Sequence, residues 1–182
     1  MTTNQRGNGA HRGQRATGAT LLEAMITLVI VAILMSLGIP GMIDFVRNAR
    51  RDSQVSDLVV ALNYARSEAI KRGHQVTLCP SLDGHNCNGD MLWETGWIVF
   101  ADPNTNGIVD NGELVMRARE ATSSGGTVRS GKRRLTYQRD GFSTGFNDTL
   151  RVCDQRGTAE ARSVIVSMQG RVRVASQASA CP

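Results

Sequence analysis

One uncharged segment near the N-terminus constrains this chain more than any other feature. Residues 24–39 contain no charged side chain, and the single carboxylate of Glu23 stands at the head of this run. Such a segment is typical of a helix that crosses a membrane. A carboxylate at the centre of a bilayer helix costs roughly 2.5–3.5 kcal/mol. Glu23 therefore needs a partner of opposite charge.

The basic leader before this segment indicates its orientation and a cleavage point. Residues 1–18 hold three arginines and no acidic residue, which predicts a cytoplasmic N-terminus and export of the remainder. A cut after Gly18 would place the new amino group of Ala19 four residues before Glu23, on the same helical face. A secretory signal peptide is a second interpretation, although its cleavage site should follow the apolar core. A plain signal anchor is the third, and only the Gly-x-x-x-x-Glu spacing disfavours it.

This spacing resembles the prepilin signal of type IV pilins and type II secretion pseudopilins. The matching positions are Gly18, Thr20, Leu21, Glu23 and Pro40. The resemblance implies that a prepilin peptidase cleaves between Gly18 and Ala19 and methylates the Ala19 amine. It also implies that Glu23 serves assembly by pairing with the N-terminal amine of an adjacent subunit. Ala19 departs from the family, which usually has phenylalanine there.

The periodicity after residue 40 predicts that the helix continues with one buried face. Apolar residues recur at intervals of three and four, the period of an amphipathic helix, at Val55, Leu58, Leu62, Ala65 and Ala69. Gly73 follows two basic residues, as is typical of a helix C-terminus. We therefore predict a transmembrane half over 19–40 and an amphipathic half over 41–73 that packs on a globular domain.

Short strand patterns separated by turn residues fill the rest of the chain. We predict a β-rich globular domain over 74–182 with a basic C-terminal tail. The seven predicted strands are 76–79, 96–100, 113–117, 134–137, 149–153, 163–167 and 171–174. One long helix followed by antiparallel strands makes the fold class α+β.

Several segments of this domain resemble the FimT/GspH family of minor pilins and pseudopilins. They are the helix segment 61–72, the strands 76–79 and 96–100, the turn 102–113, and Gly170-Arg171-Val172-Arg173. The resemblance implies the type IV pilin fold and assembly with other pilin subunits. It further implies a single-pass protein of the bacterial inner membrane that later passes through the periplasm into a fibre on the cell surface.

The four cysteines all lie beyond the apolar segment, at Cys79, Cys87, Cys153 and Cys181. An even number in an exported domain favours two disulfides, and the sequence permits three pairings. We favour Cys79–Cys87, which closes a short local loop, with Cys153–Cys181, which fastens the C-terminus to the domain.

Charge is distributed unevenly between the two halves of the chain. Residues 19–116 contain six Lys/Arg and eleven Asp/Glu, whereas residues 117–182 contain twelve and five. The net charges are thus −5 and +7, an asymmetry that indicates an anionic partner. A solvated basic surface is the alternative explanation.

Two clusters within the basic half are candidates for phosphate contacts. Arg171 and Arg173 would share one side of a strand, and arginine binds phosphate bidentately. In the FimT branch of the family, a Gly-Arg-x-Arg motif is associated with DNA binding during natural transformation, so the resemblance implies this role for Gly170, Arg171 and Arg173. Charge alone adds a second cluster: Lys132, Arg133 and Arg134. Alternatively, these side chains pair with acids in the sheet or face a neighbouring subunit.

These observations predict a minor pilin that binds extracellular double-stranded DNA without sequence preference for natural transformation. The alternative is a priming minor pilin, or a GspH-type pseudopilin of type II secretion, without DNA binding. We expect no enzymatic activity, because His74 and His85 lie outside any nucleophile motif, and we expect no cofactor.

Residues 102–113 match the calcium-loop pattern D-x-[DN]-x-[DN]-G-x5-E at every specified position. The side-chain ligands would be Asp102, Asn104, Asn106, Asp110 and Glu113. The lead-in, however, has the pattern of a strand rather than a helix. Asp, Asn and Gly are also common in tight hairpin connections, so we favour a structural turn here.

Overall fold

The computed structural model describes residues 20–121, 125–176 and 180–181, and begins with one long helix, α1, over Leu21–Arg72. Thr20 precedes the helix, and its hydroxyl accepts the backbone N–H of Glu23 at 3.2 Å. Gly73 ends the helix with a φ of +70°, a left-handed conformation that glycine adopts without steric cost. The prediction of a long N-terminal helix is therefore confirmed.

Eight strands follow and form two four-stranded antiparallel sheets. The first sheet has the order β3-β2-β1-β5, and the second has the order β4-β6-β7-β8. The strands are β1 (Gln75–Pro80), β2 (Gly96–Asp102), β3 (Val115–Glu120), β4 (Thr127–Arg129), β5 (Leu135–Tyr137), β6 (Asp148–Cys153), β7 (Arg162–Val166) and β8 (Val172–Ser176). A short 3₁₀ turn, Trp93–Thr95, leads into β2.

Two details of the strand prediction were wrong. Strand β4 was not predicted, because three residues after a Gly-rich turn carry too little alternation to be recognised. It exists because it pairs with β6, with Val128 opposite Val152. Strand β3 begins at Val115 rather than at residue 113, since its start is set by pairing with Phe100 beside an irregularity in β2.

The hydrophobic core lies between the second half of the helix and both sheets. The predicted helical stripe is buried, with Leu62, Ala65 and Ala69 fully inaccessible. These residues belong to one cluster with Leu78 and Tyr137 of the first sheet, and with side chains of the second sheet: Val128, Leu150, Val152, Val164 and Val166. The chain divides into two compact units between Ile43 and Asp44, and the whole core belongs to the second unit.

A smaller apolar cluster involves strands β1 and β2. Cys79, Ile98 and Phe100 form it, and Val109 and Val115 pack against it. Strand β2 is consequently buried at every position. The connection between β2 and β3, which contains Val109, is therefore anchored to the first sheet.

Candidate nucleic-acid interface

A tight turn joins β7 to β8 directly before Arg171 and Arg173. The N–H of Gly170 donates to the carbonyl of Ser167 at 2.8 Å, and the N–H of Ser167 donates to the carbonyl of Arg171 at 3.0 Å. Gly170 has a φ of +72°. Glycine is favoured here because a Cβ would clash with the backbone in this region.

Gly170 also lacks space for a side chain. An ideal Cβ on it would lie 2.0 Å from the carbonyl oxygen of Gly141. The N–H of Ser143 donates to the carbonyl of Met168 at 2.8 Å. The turn is therefore fastened to the connection between β5 and β6, which gives the following arginines a rigid base.

Arg171 and Arg173 are both exposed and form no ion pair, side-chain hydrogen bond or ring contact with a residue of the described ranges. Arg173 pairs with Ile165 across the ladder. Its neighbours Val172 and Val174 oppose the buried core residues of β7, so Arg173 lies on the opposite face of the sheet. Strand β8 begins after Arg171, so a shared face for the two arginines stays a prediction.

The second basic cluster is only partly available for a ligand. The Lys132 ammonium donates to the carbonyl of Gly145. Arg134 donates to the carbonyl of Asn106 at 3.0 Å, and its guanidinium lies 5.5 Å from the ring centre of Phe146. Arg133 alone is exposed and without a partner among the described residues. Two of these three side chains therefore stabilise neighbouring loops.

Arg139 is an exposed cation that the motif analysis did not single out. It lies in the turn between Gln138 and Gly141, and it too has no partner in the described part of the chain. Gly141 is the residue whose carbonyl contacts Gly170. The only sequence signal for Arg139 was its contribution to the positive charge of the C-terminal half.

The connection between β5 and β6, residues 138–147, brings the basic segments together. It contacts the β7–β8 turn through Ser143 and Gly141, and it accepts the Lys132 hydrogen bond through Gly145. By contrast, several other arginines of the basic half are paired. Arg119 binds Asp57 at 2.8 Å, Arg129 binds Glu94, and Arg156 binds Asp154 at 2.6 Å.

Three titratable groups of the domain, Tyr137, Asp154 and His74, are buried or bonded to neighbouring residues. Burial raises the pKa of Tyr137, whose hydroxyl finds no partner among the described residues. The hydrogen bond from Arg156 lowers the pKa of Asp154. His74 contacts the carbonyl of Gln75 at 2.9 Å. These contacts give the three groups a structural role.

Thr20 and Glu23 form the start of the apolar helix. A Thr three residues before a Glu is the pattern of a capping box, and the Thr20 hydroxyl accepts the Glu23 N–H. The apolar side chains of residues 21–39 are exposed, and the helix is long and apolar enough to cross a membrane. Gly18 and Ala19 lie outside the described residues.

The structure contains two disulfides with the favoured pairing. Cys79–Cys87 spans a sequence separation of 8, and Cys153–Cys181 spans 28. Cys153 and Cys181 pack with Ala161 in a small apolar cluster. The second bond thereby ties the C-terminal end of the chain to β6.

The predicted calcium loop connects β2 to β3 in a hairpin. Its first residue, Asp102, is buried, and Asn104 and Asn106 both donate to Asp110. In the described parts of the chain, no three His, Cys, Asp or Glu side chains cluster so as to hold a metal ion. The carboxylates alone are thus insufficient for a metal site.

Comparison with solved structures shows which fold this arrangement shares. Two crystal structures of the type IV minor pilin FimU from Pseudomonas aeruginosa PAO1 are similar to the chain. The form in space group P21 has a TM-score of 0.62 at 18% identity and covers 76% of this chain. The P65 form has a TM-score of 0.56 at 19% identity and covers 72%, and each match covers 99% of the FimU chain. This likeness shows the type IV pilin fold.

Sequence comparison identifies the family. No curated protein sequence matches the chain. Residues 54–170 match the family model of the type II transport protein GspH, a span that covers well over half of the chain. Pilins of this family and fold are structural, non-enzymatic proteins. The chain therefore belongs to the GspH/FimT family of type IV minor pilins and type II secretion pseudopilins.

Proposed function

We propose that this protein is a minor pilin that binds extracellular double-stranded DNA without sequence preference during natural transformation. The observation that carries the proposal is the pair Arg171 and Arg173, exposed and unpaired among the described residues on a base held by Gly170. The proposed interface also includes Arg133 and Arg139, with Lys132 and Arg134 at its border.

Free guanidinium groups suit a phosphate backbone. Arginine donates two parallel hydrogen bonds to phosphate oxygens, and contacts of this kind give affinity without reading sequence. Three other arginines of the basic half, Arg119, Arg129 and Arg156, pair with carboxylates. Arg171 and Arg173 have no such partner among the described residues, so their charges remain available to an anionic ligand. The segment that matches the family model ends at residue 170, so Arg171 and Arg173 lie beyond it. The proposed DNA binding is therefore argued from these two residues and not from the family match.

Removing the charges of Arg171 and Arg173 should weaken binding to duplex DNA whatever the DNA sequence. For Arg171→Gln with Arg173→Gln, we expect affinity for duplex DNA to fall roughly tenfold to a hundredfold at low salt. The slope of log affinity against log salt should flatten by about two units, since each phosphate contact contributes about 0.9. Fluorescence anisotropy of labelled duplexes with the detergent-solubilised full chain measures both quantities.

A matched variant controls for net charge. Arg50 and Lys71 lie on exposed positions of α1, so Arg50→Gln with Lys71→Gln removes the same two charges elsewhere, and we expect a near wild-type slope. If the two double variants bound DNA equally, the arginine pair would have no specific role. The protein would then be a structural minor pilin only.

The match to the GspH model is compatible with two alternatives without DNA binding: a pseudopilin of type II secretion, and a structural or priming minor pilin. Deleting the gene separates the two functions. Loss of transformation with intact secretion supports a pilin, whereas loss of secretion with intact transformation supports the pseudopilin. A priming pilin differs from a DNA-binding one in the arginine variant: if Arg171→Gln with Arg173→Gln restores both fibres and transformation to the deletion strain, the protein only primes the fibre.

We further propose the processing and assembly route that the N-terminal pattern implies. A prepilin peptidase cleaves between Gly18 and Ala19 and methylates the Ala19 amine. Before assembly, the protein crosses the inner membrane once with its N-terminus in the cytoplasm, and its domain lies in the periplasm. In the fibre, Glu23 pairs with the N-terminal amine of an adjacent pilin, which offsets the cost of a carboxylate in apolar surroundings.

Two Glu23 variants separate a charge-pairing role from a capping role. Gln keeps the capping-box hydrogen-bonding capacity of Glu but loses the charge, whereas Val loses both. We expect both Glu23→Gln and Glu23→Val to reach the membrane and to be nearly absent from sheared fibres. Mass spectrometry of the fibres measures incorporation and the N-terminal residue, which should be methylated Ala19. If Glu23→Gln entered fibres at the wild-type level, the charge of Glu23 would have no role in assembly, and Glu23 would serve only to cap the helix.

A further inference from the structure

The connection between β2 and β3 contains a buried carboxylate oxygen that the fold does not satisfy. Asp102 is 1% exposed, and its Oδ2 accepts hydrogen bonds from Thr77 Oγ1 and from the N–H of Gly107, both at 3.0 Å. Its Oδ1 is buried and has no hydrogen-bond partner among the described residues. Because Gly107 lies near the midpoint of the connection, this hydrogen bond holds the middle of the loop against the Asp102 carboxylate.

A second orphaned oxygen lies at the other end of the same loop. Glu113 Oε2 accepts the N–H of Asp110 at 3.1 Å, while Glu113 Oε1 is buried without a partner in the described ranges. Buried anionic oxygens are costly unless they are paired or bind a cation. Two such oxygens, eleven positions apart in one loop, therefore indicate a missing positive ligand.

The oxygens between these two ends can complete a hard-cation ligand set. Asn104 Oδ1 accepts the N–H of Asn106, and Asn106 Oδ1 accepts the N–H of Ile108. Each amide oxygen retains a second lone pair. Both amide nitrogens donate to Asp110 Oδ2, at 2.7 and 2.6 Å, so these side chains already face one another.

We propose that residues 102–113 bind one calcium ion. The ligands are side-chain oxygens of Asp102, Asn104, Asn106, Asp110 and Glu113, with the carbonyl of Ile108. Calcium takes six to eight oxygen ligands in flexible geometry, whereas magnesium demands a near-ideal octahedron and zinc prefers nitrogen or sulfur. Half of these ligands are amide or carbonyl oxygens. The three carboxylates do not cluster among the described residues, so ion binding draws Asp102, Asp110 and Glu113 together, which the flexible coordination of calcium permits.

The surroundings both organise the loop and limit its affinity. Val109 packs against the cluster of Ile98 and Phe100, which fixes the middle of the loop to the sheet. Arg134 donates to the carbonyl of Asn106 and places a positive charge beside the site. With two neutral amides among its ligands, the site should have a dissociation constant on the order of 10⁻⁴–10⁻³ M, the range of extracellular calcium modules.

Calcium should stabilise the full-length protein in detergent after treatment with EGTA. The fluorescence of Trp93 and Trp97, both nearly buried, reports thermal unfolding. We expect Tm to rise by several degrees, on the order of 5–10 °C, at a hundredfold excess of calcium over the dissociation constant. Magnesium at equal concentration should leave Tm nearly unchanged. Isothermal titration with CaCl₂ should give one ion per chain.

Three variants test the ligand assignment. Glu113→Gln and Asp102→Asn should each raise the calcium concentration needed for a given rise in Tm by at least tenfold. Asp90→Asn removes an exposed carboxylate outside the loop and should respond as the wild type does. If Asp102→Asn fails to fold, the calcium response of Glu113→Gln alone tests the ligand assignment. A wild-type Tm that is equal in EGTA, calcium and magnesium, or a wild-type response from Glu113→Gln, would overturn the site.

Discussion

Gly170→Ala should destabilise the domain by about 2–5 kcal/mol. The added methyl would lie 2.0 Å from the carbonyl oxygen of Gly141, a backbone atom that cannot move alone. The left-handed conformation costs a non-glycine residue roughly 1–2 kcal/mol, and forced overpacking adds about 1–3 kcal/mol. Urea unfolding followed by the fluorescence of Trp93 and Trp97 measures the loss.

A second glycine, Gly145, separates the cost of the left-handed conformation from the cost of the steric clash. Gly145 has a φ of +81° and no atom within 4 Å of an ideal Cβ. Gly145→Ala should therefore cost only the conformational part, about 1–2 kcal/mol. Equal unfolding midpoints for Gly145→Ala and Gly170→Ala would contradict the steric argument.

The glycine of the Gly-Arg-x-Arg motif therefore has a structural role, whereas its two arginines have a binding role. Gly170 is buried and builds the turn, whereas Arg171 and Arg173 are exposed and contribute little to stability. Arg171→Gln with Arg173→Gln should leave the urea midpoint near the wild-type value, because exposed charges contribute little to folding. Loss of DNA binding in that variant can then be assigned to the interface.

Removing the Cys153–Cys181 disulfide should cost about 3–4 kcal/mol of unfolding free energy. In the chain-entropy model, the loss grows with the length of the closed loop, and this bond spans 28 residues. Cys153→Ala with Cys181→Ala removes it, and urea unfolding under non-reducing conditions measures the change. The loss should appear mainly as a lower midpoint, with the same fluorescence change on unfolding.

The shorter bond provides the comparison. Cys79–Cys87 spans only 8 residues, so Cys79→Ala with Cys87→Ala should cost about 2–3 kcal/mol in the same model. A larger loss from this pair than from Cys153–Cys181 would mean that packing of Cys79 with Ile98 and Phe100 outweighs chain entropy. The entropic ranking would then be wrong.

The sequence by itself determined the elements whose signals are local. The helical stripe from Val55 to Ala69 and seven of the strands could be predicted, since each is encoded by the periodicity of neighbouring residues. The sequence favoured the observed disulfide pairing but permitted two others, so the structure decided it.

Only the tertiary structure decided features that depend on distant partners. Strand β4 exists because residues 127–129 pair with β6, and its three residues carry too weak a pattern alone. Charge counts could not show that Arg119 and Arg156 are paired while Arg139, Arg171 and Arg173 have no partner within the described ranges, because an ion pair depends on which carboxylate the fold brings near. Likewise, the calcium pattern became a site hypothesis only when burial left Asp102 Oδ1 without a partner in the described residues. Periodicity specifies local conformation, whereas solvation and pairing are set by contacts between segments far apart in the chain.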